Sequence, residues 1–228
     1  MRVFVTGATG FIGSAVVREL IEAGHQVTGL ARSESAAAAV TAAGAAAHRG
    51  SMEDLASLRA GAAAADGVIH TAFNNISETT TGIADAIEAN QHAIEALGEA
   101  LAGSGRALAV TSGTALIAPG RVATEQDVPD PGSFNALAPA ETAALSFAGR
   151  AVRVSVVRFP LTVHGKGDHG FIPALISIAR DKGVSAYTGD GSNRWSAVHR
   201  LDAARLFRLA LEEAPAGTRL HGVAEEAV

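Results

Sequence analysis

Val5-Thr-Gly7-Ala-Thr-Gly10-Phe-Ile-Gly13 joins a short apolar run, Val3–Thr6, to a helical pattern that carries Val16, Val17, Leu20 and Ile21 on one side. Three glycines at such a junction serve a tight turn, close approach of the backbone to a ligand, and contact between helix and strand. The helix start that follows has N–H groups without intrahelical partners and the positive end of a dipole, which together suit a phosphate. By itself the spacing also fits a tight turn that binds nothing. At the first strand–helix junction of an alternating chain it points to the diphosphate of a dinucleotide, held by Gly7, Thr9, Gly10, Phe11, Ile12 and Gly13.

Working outward, strand-like runs alternate with longer helical ones, the pattern of βαβ units. The expected fold is α/β, a doubly wound parallel sheet of the Rossmann type. It forms a single domain over residues 1–228, in which 160–200 contribute a small C-terminal substrate-side region. The first helix is expected over Ser14–Ala23, with Gly24 at its C-terminal cap. Strands are expected at Gln26–Leu30, Ala45–His48, Asp66–Thr71, Arg106–Thr111 and Val152–Arg158, with a short one at Val184–Tyr187. Helices are expected over the alanine-rich Ser35–Ala43, after a capping box at Ser51-Met-Glu-Asp54, and over Ile83–Ala102, Ala138–Ala148 and Phe171–Asp181. A final helix is capped by Asp202, with Ala203, Leu206, Phe207 and Ala210 on one face. Pro119–Pro139 holds four of the seven prolines and reads as a long surface loop. The stripe Ile83, Ile87, Ile94, Leu97, Leu101 is either core or half of a homodimer interface.

Composition narrows the partners. A net charge of −5 with scattered basic residues argues against a nucleic-acid surface. The absence of cysteine excludes disulfides, zinc–thiolate centres and thiol catalysis. No apolar run approaches the roughly 18 residues of a membrane span. Strand-like residues from Arg2 onward leave no secretory leader, so the expected location is cytoplasmic. His164, His169 and His199 match no metal-ligand spacing, so no metal is expected. The expected partner is a small-molecule substrate.

The end of the second strand reads Gly29-Leu-Ala-Arg32-Ser33-Glu34, and Arg32 stands where the ribose-reading residue belongs. A guanidinium can fork onto a 2′-phosphate, with Ser33 adding a further bond. A charge-assisted bond of about 1.5–3 kcal/mol would favour NADP over NAD by roughly ten- to a hundred-fold. The alternative is that Arg32 stacks on the adenine or points to water and Glu34 binds the ribose, which makes NAD possible.

These residues resemble the extended and atypical short-chain dehydrogenase/reductases, a group that includes nucleotide-sugar epimerases and dihydroflavonol-reductase-like enzymes. TGATGFIG matches the family's cofactor turn. VIHTA at Val68–Ala72 is similar to its fourth strand, which implies Ala72 beside the adenine ribose. Asn90 matches a helix asparagine, and VTSGT at Val110–Thr114 the strand that carries the catalytic hydroxyl, which implies Thr111 at the cofactor. VVRFPLTVHG at Val156–Gly165 resembles the segment in which a proline, here Pro160, meets the nicotinamide. WSAVHRLDAARLFRLALE at Trp195–Glu212 resembles the helix that follows the substrate loop.

One match fails. The family's acid–base pair, Tyr-x-x-x-Lys, belongs on the helix between strands five and six, where this chain reads SFNALAPAETAALSFAG; its tyrosine position falls on Leu137 and its lysine position on Glu141. The only tyrosine is Tyr187 and the only lysines are Lys166 and Lys182. Losing general acid–base help costs typically about 10²–10⁴ in rate, which leaves redox chemistry possible by another proton source. Ser112 is the first candidate for contact with the substrate oxygen and Thr114 its rival; each is alternatively a hydroxyl satisfied by backbone at a strand end. His164 is a candidate proton donor or a plain loop histidine. Arg194 and Trp195 border the cavity, or Trp195 is core. Two functions remain open: an NADP(H)-dependent oxidoreductase for a small carbonyl, hydroxyl or sugar-like compound, and a dinucleotide-binding redox sensor or regulatory protein without turnover.

Overall fold

The computed structural model describes residues 1–73, 82–115, 117–129 and 137–225. Part of the expected Pro119–Pro139 loop, 130–136, therefore lies outside the described residues. Seven strands form one sheet: β1 (Arg2–Thr6), β2 (Gln26–Ala31), β3 (Ala46–Arg49), β4 (Gly67–His70), β5 (Ala107–Gly113), β6 (Arg153–Phe159) and, later in the chain, β9 (Thr218–His221). Their order is β3-β2-β1-β4-β5-β6-β9 and every pairing is parallel. The chain thus winds outward from β1 in one direction, then returns to β4 and winds in the other. The crevice at that reversal, beyond the carboxyl ends of β1 and β4, is where ligands of such sheets bind.

Alternation along the strands explains the two layers. Val3 and Val5 pack with Val16, Val17 and Leu20 of α1 (Phe11–Glu22) and with Phe207 and Leu211 of α7 (Arg200–Glu213). Phe4, between them, points to the other face. There it packs with Leu58 of α3 (Leu55–Ala63) and Ile94, Leu97 and Leu101 of α4 (Gly82–Leu101), beside Ala140 and Ala144 of α5 (Ala138–Ser146). Each fully buried Leu, Ile or Phe here contributes about 1.5–3 kcal/mol of transfer free energy. The α4 stripe is therefore mostly core, with Ile83 left exposed at its start. α2 (Glu34–Ala42) closes the β2–β3 crossover and buries only Val40.

Four expectations need correction. The cap of α3 is Asp54, whose carboxylate accepts from the Ser57 amide, and not Ser51. The cap of α7 is His199, with Asp202 inside the first turn, where its charge suits the dipole. Val184–Tyr187 is not a strand: it follows α6 (Phe171–Lys182) as exposed, unpaired chain, with Tyr187 75% accessible. Trp195 is not core but stacks at the surface on Phe171, 5.8 Å between ring centres. Three short strands have no expected counterpart: β9 extends the main sheet, and β7 (Thr162–His164) pairs in parallel with β8 (Ala197–His199). No helix among the described residues is long and apolar enough to cross a membrane.

Candidate active site and cofactor crevice

β1 runs straight into Gly7, which has φ +68°; a Cβ there would lie 2.7 Å from both the Ala72 nitrogen and the Thr71 Oγ1. A Cβ on Gly13 would lie 2.0 Å from the Gly7 carbonyl oxygen. Only glycines permit α1 to start this close to β1 and β4. Gly10 is the N-cap and supplies no side-chain acceptor, so the first-turn amides of Phe11, Ile12 and Gly13 have no side-chain cap. A Cβ on Gly10 would meet nothing nearer than the Gly7 oxygen at 3.2 Å, so open space lies over the helix end. This backbone fits a dinucleotide diphosphate. Gly10 and Thr9 are exposed, and Phe11, Ile12 and Ala72 half-buried.

On the adenosine side, Arg32 is exposed one residue past the end of β2. Ser33 caps α2, its hydroxyl accepting from the Ala36 amide at 3.1 Å. Glu34 pairs with Arg49 at 3.0 Å.

Behind the crevice a polar chain crosses the core. Thr6 Oγ1 lies 2.8 Å from His70 Nδ1, and His70 Nε2 lies 2.9 Å from Asn90 Oδ1. Burial pushes His70 down to about 4, partly opposed by the Asn90 hydrogen bond, so the ring is neutral. An oxygen at Asn90 can only accept, so Nε2–H donates to it and Nδ1 accepts from Thr6. Thr6 Oγ1 in turn accepts from the Ala72 amide at 3.4 Å, and the Thr71 hydroxyl donates to the Thr6 carbonyl at 2.8 Å. The chain ties the ends of β1 and β4 together and accounts for Asn90 as a buried structural residue.

At the carboxyl ends of β5 and β6 Glu141 of α5 anchors an ion cluster. Glu141 is 2% exposed, and each of its oxygens accepts two bonds. Oε2 takes Ser112 Oγ at 2.9 Å and Arg158 Nε at 3.0 Å; Oε1 takes Arg219 Nε at 2.9 Å and the terminal Arg158 nitrogen. Burial pushes the Glu141 carboxyl up, but the bonds from Arg158 and Arg219 hold it below the usual range. Arg158 is fully buried, and it also donates to the Asp127 carbonyl at 2.9 Å and approaches His221 Nε2 at 3.4 Å. Burial and the facing Arg158 push His221 down, against Glu125, Asp127 and Glu141. A carboxylate with every lone pair engaged is a counter-ion, not a base. Ser112 donates its hydroxyl hydrogen bond to Glu141 and can only accept from anything else.

In front of this cluster a cleft of about 310 Å³ opens, its lining including Phe11, Ser112, Leu137, Pro160 and His169. Thr111 lines it too, its hydroxyl donating to the His70 carbonyl at 3.0 Å. Thr114 stands apart from the cleft, half-buried, with its amide donating to the Phe159 carbonyl at 2.9 Å. His164 also lies off the lining, edge-on to His199 at 5.4 Å and 3.7 Å from Glu225. Among the described residues, the two titratable side chains on the lining are Asp168 and His169. Asp168 accepts from the Gly170 amide at 2.8 Å. His169 Nδ1 lies 3.1 Å from the Gly167 carbonyl, which can only accept; Nδ1–H donates and Nε2 is left to exchange a proton. Its ring meets Phe11 edge-on at 6.0 Å. The ion cluster was foreshadowed by Arg158 between the apolar Val156-Val157 and Phe159 of β6, since a buried charge requires a partner. Nothing local marked Arg219 or His169.

The family model for the NAD dependent epimerase/dehydratase family matches residues 3–221. An uncharacterised protein of Schizosaccharomyces pombe is 51% identical over 100% of this chain and 76% of its own length, and one of Saccharomyces cerevisiae 45% over the same shares. A 4-hydroxy-2-methyl-3-oxo-4-farnesyl-3,4-dihydroquinoline-1-oxide ketoreductase of Stigmatella aurantiaca is 31% identical over 95% of this chain and 66% of its own. Among solved structures, MoeE5 in complex with UDP-glucose and NAD is 28% identical with a TM-score of 0.78, covering 100% of this chain and 78% of that one. DesIV, a dTDP-glucose 4,6-dehydratase from Streptomyces venezuelae with NAD and TYD bound, shares the fold at a TM-score of 0.81 and 23% identity over 100% and 77%. With the glycine turn, the switch-point crevice and a match across almost its whole length, the chain belongs to the NAD-dependent epimerase/dehydratase family.

Proposed function

We propose that this protein is an NADP(H)-preferring oxidoreductase that interconverts a small carbonyl compound and its alcohol, with His169 as proton carrier in place of the family's Tyr-x-x-x-Lys. The observation that carries the reading is the cleft itself. It joins the uncapped start of α1 to the ends of β5 and β6, and His169 stands on its wall. A nicotinamide dinucleotide held by the glycine turn supplies or accepts the hydride. The protein's own groups do the rest. Phe11, Leu137, Phe159, Pro160 and Phe171 make the walls largely apolar, which suits an uncharged substrate. The anchored Nδ1–H of His169 orients the ring so that Nε2 gives a proton to the reduced oxygen, or takes one from an alcohol. Ser112, its O–H directed to Glu141, accepts a hydrogen bond from a substrate hydroxyl. The likeness to a ketoreductase supports a carbonyl substrate. Arg32 just past β2 supports the preference for a 2′-phosphate.

The cluster at Glu141 favours one rival, a dinucleotide-binding sensor without turnover, because the family's lysine position serves packing here. Titration with NADPH and NADH, then a screen of aldehydes and ketones for NADPH consumption, separates the two. The oxidoreductase reading expects tight NADPH binding and turnover of an apolar carbonyl. Binding without turnover on every compound overturns it, and stronger binding of NADH removes the role of Arg32.

A further inference from the structure

Arg200 is the first residue of α7, where a cation opposes the positive end of the helix dipole. Among the described residues no carboxylate pairs with it, and Asp202, two positions on, projects in another direction. Its guanidinium instead lies over the Phe11 ring, 5.1 Å from the centroid. Phe11 is the first residue of α1, so the charge stands beside a second helix start, which has neither a side-chain cap nor an acidic residue in its first turn, whereas α7 has both in His199 and Asp202. The approach is built in by Gly165: a Cβ there would lie 3.1 Å from Arg200 Cγ, 3.3 Å from its Cδ and 2.9 Å from His199 Nε2. The uncapped start of α1 and the Arg200 guanidinium thus meet at Phe11, and no carboxylate among the described residues pairs with either.

We propose that Arg200 clamps the diphosphate of the bound dinucleotide from the side opposite the glycine turn, and that Gly165 exists to let it reach. The assignment rests on the dinucleotide reading above. It places the second cation at the diphosphate, separate from Arg32 past β2 at the adenosine end. The same chemistry could come from a substrate phosphate, and the test separates these sources.

The test is binding to Arg200→Met and Arg200→Lys, measured by calorimetry with ADP-ribose, NADPH and adenosine. A final arm adds UDP to protein saturated with NADPH. Arg200→Met should weaken ADP-ribose and NADPH by about tenfold or more, the loss of one charge-assisted contact, and leave adenosine unchanged. Arg200→Lys should recover part of the loss. Without ligand, the thermal midpoint of Arg200→Met should stay level or rise, because a charge opposed to the dipole is gone. A fall would mark a structural cation–π role and overturn the clamp. So would ADP-ribose affinity within about twofold of wild type, or a loss confined to UDP, which would make the anion the substrate's. Wild-type protein that binds neither ADP-ribose nor NADPH would overturn the dinucleotide reading together with the clamp.

Discussion

Replacing Glu141 by Gln is the sharpest perturbation of the site's architecture. The carboxylate accepts from Arg158 twice, from Arg219 and from Ser112, and both Glu141 and Arg158 are almost wholly buried. Gln keeps the shape but turns one oxygen into a donor that faces another donor, and it leaves the Arg158 charge without a counter-ion in the core. Removing one partner of a buried pair costs about 3–5 kcal/mol. For a chain of this length that corresponds to a drop of about 6–20 °C in thermal midpoint. Glu141→Lys, which installs the residue expected from the family resemblance, sets a third cation beside Arg158 and Arg219 and should prevent folding. The double change Glu141→Met with Arg158→Met removes the stranded charge and should recover most of the loss. Urea unfolding followed by circular dichroism measures all three. A cost below about 1 kcal/mol for Glu141→Gln would refute the claim that this position has become a structural ion cluster.

Acid should destabilise the fold in two windows. The folded His70 sits at about 4 against an ordinary 6.5, so the unfolded chain takes the proton first. Stability present above 6.5 is lost as the pH falls towards 4, by about 3 kcal/mol in all. Glu141, held below its usual 4.5, adds a second loss only beneath that value. Urea midpoints across this range test both, and His70→Gln should flatten the upper window alone. Gly13→Ala puts a methyl 2.0 Å from the Gly7 oxygen and should abolish measurable NADPH binding by fluorescence titration. His169→Phe should cut carbonyl turnover by about 10²–10⁴, with the NADPH dissociation constant unchanged; unchanged turnover would return the proton to water or to His164.

The sheet was legible because its signals are local. Glycines at the first turn, apolar runs bounded by turn residues and the α4 stripe each state their element without reference to the rest of the chain. β6 was legible as a strand, but both its faces are covered, so its burial does not alternate as its sequence suggests. β9 was invisible because Thr218–His221 is too short and polar to read as a strand, and its place beside β6 depends on the whole chain. The capping box failed because Ser51 and Asp54 are both residue types favoured at an N-cap and only the backbone chooses between them. At the site the cofactor turn could be read and the proton chemistry could not. Glu141, Arg158 and Arg219 come from a helix and two strands, and no spacing within any of them announces the cluster. The sequence singled out His164 because it follows the segment matched to the nicotinamide site; the paths of β7 and the loop before α6 instead put His169 on the cleft wall and turn His164 towards His199.

The central claim is that a diphosphate rests on the start of α1 at the β1–β4 switch point. A crystal structure of the protein soaked with NADPH measures this directly. The account predicts diphosphate oxygens within hydrogen-bond distance of the Phe11 and Ile12 amides, with the nicotinamide in the cleft between Pro160 and His169. Density for the coenzyme anywhere else, or a crevice that stays empty at saturating NADPH and NADH, would contradict it.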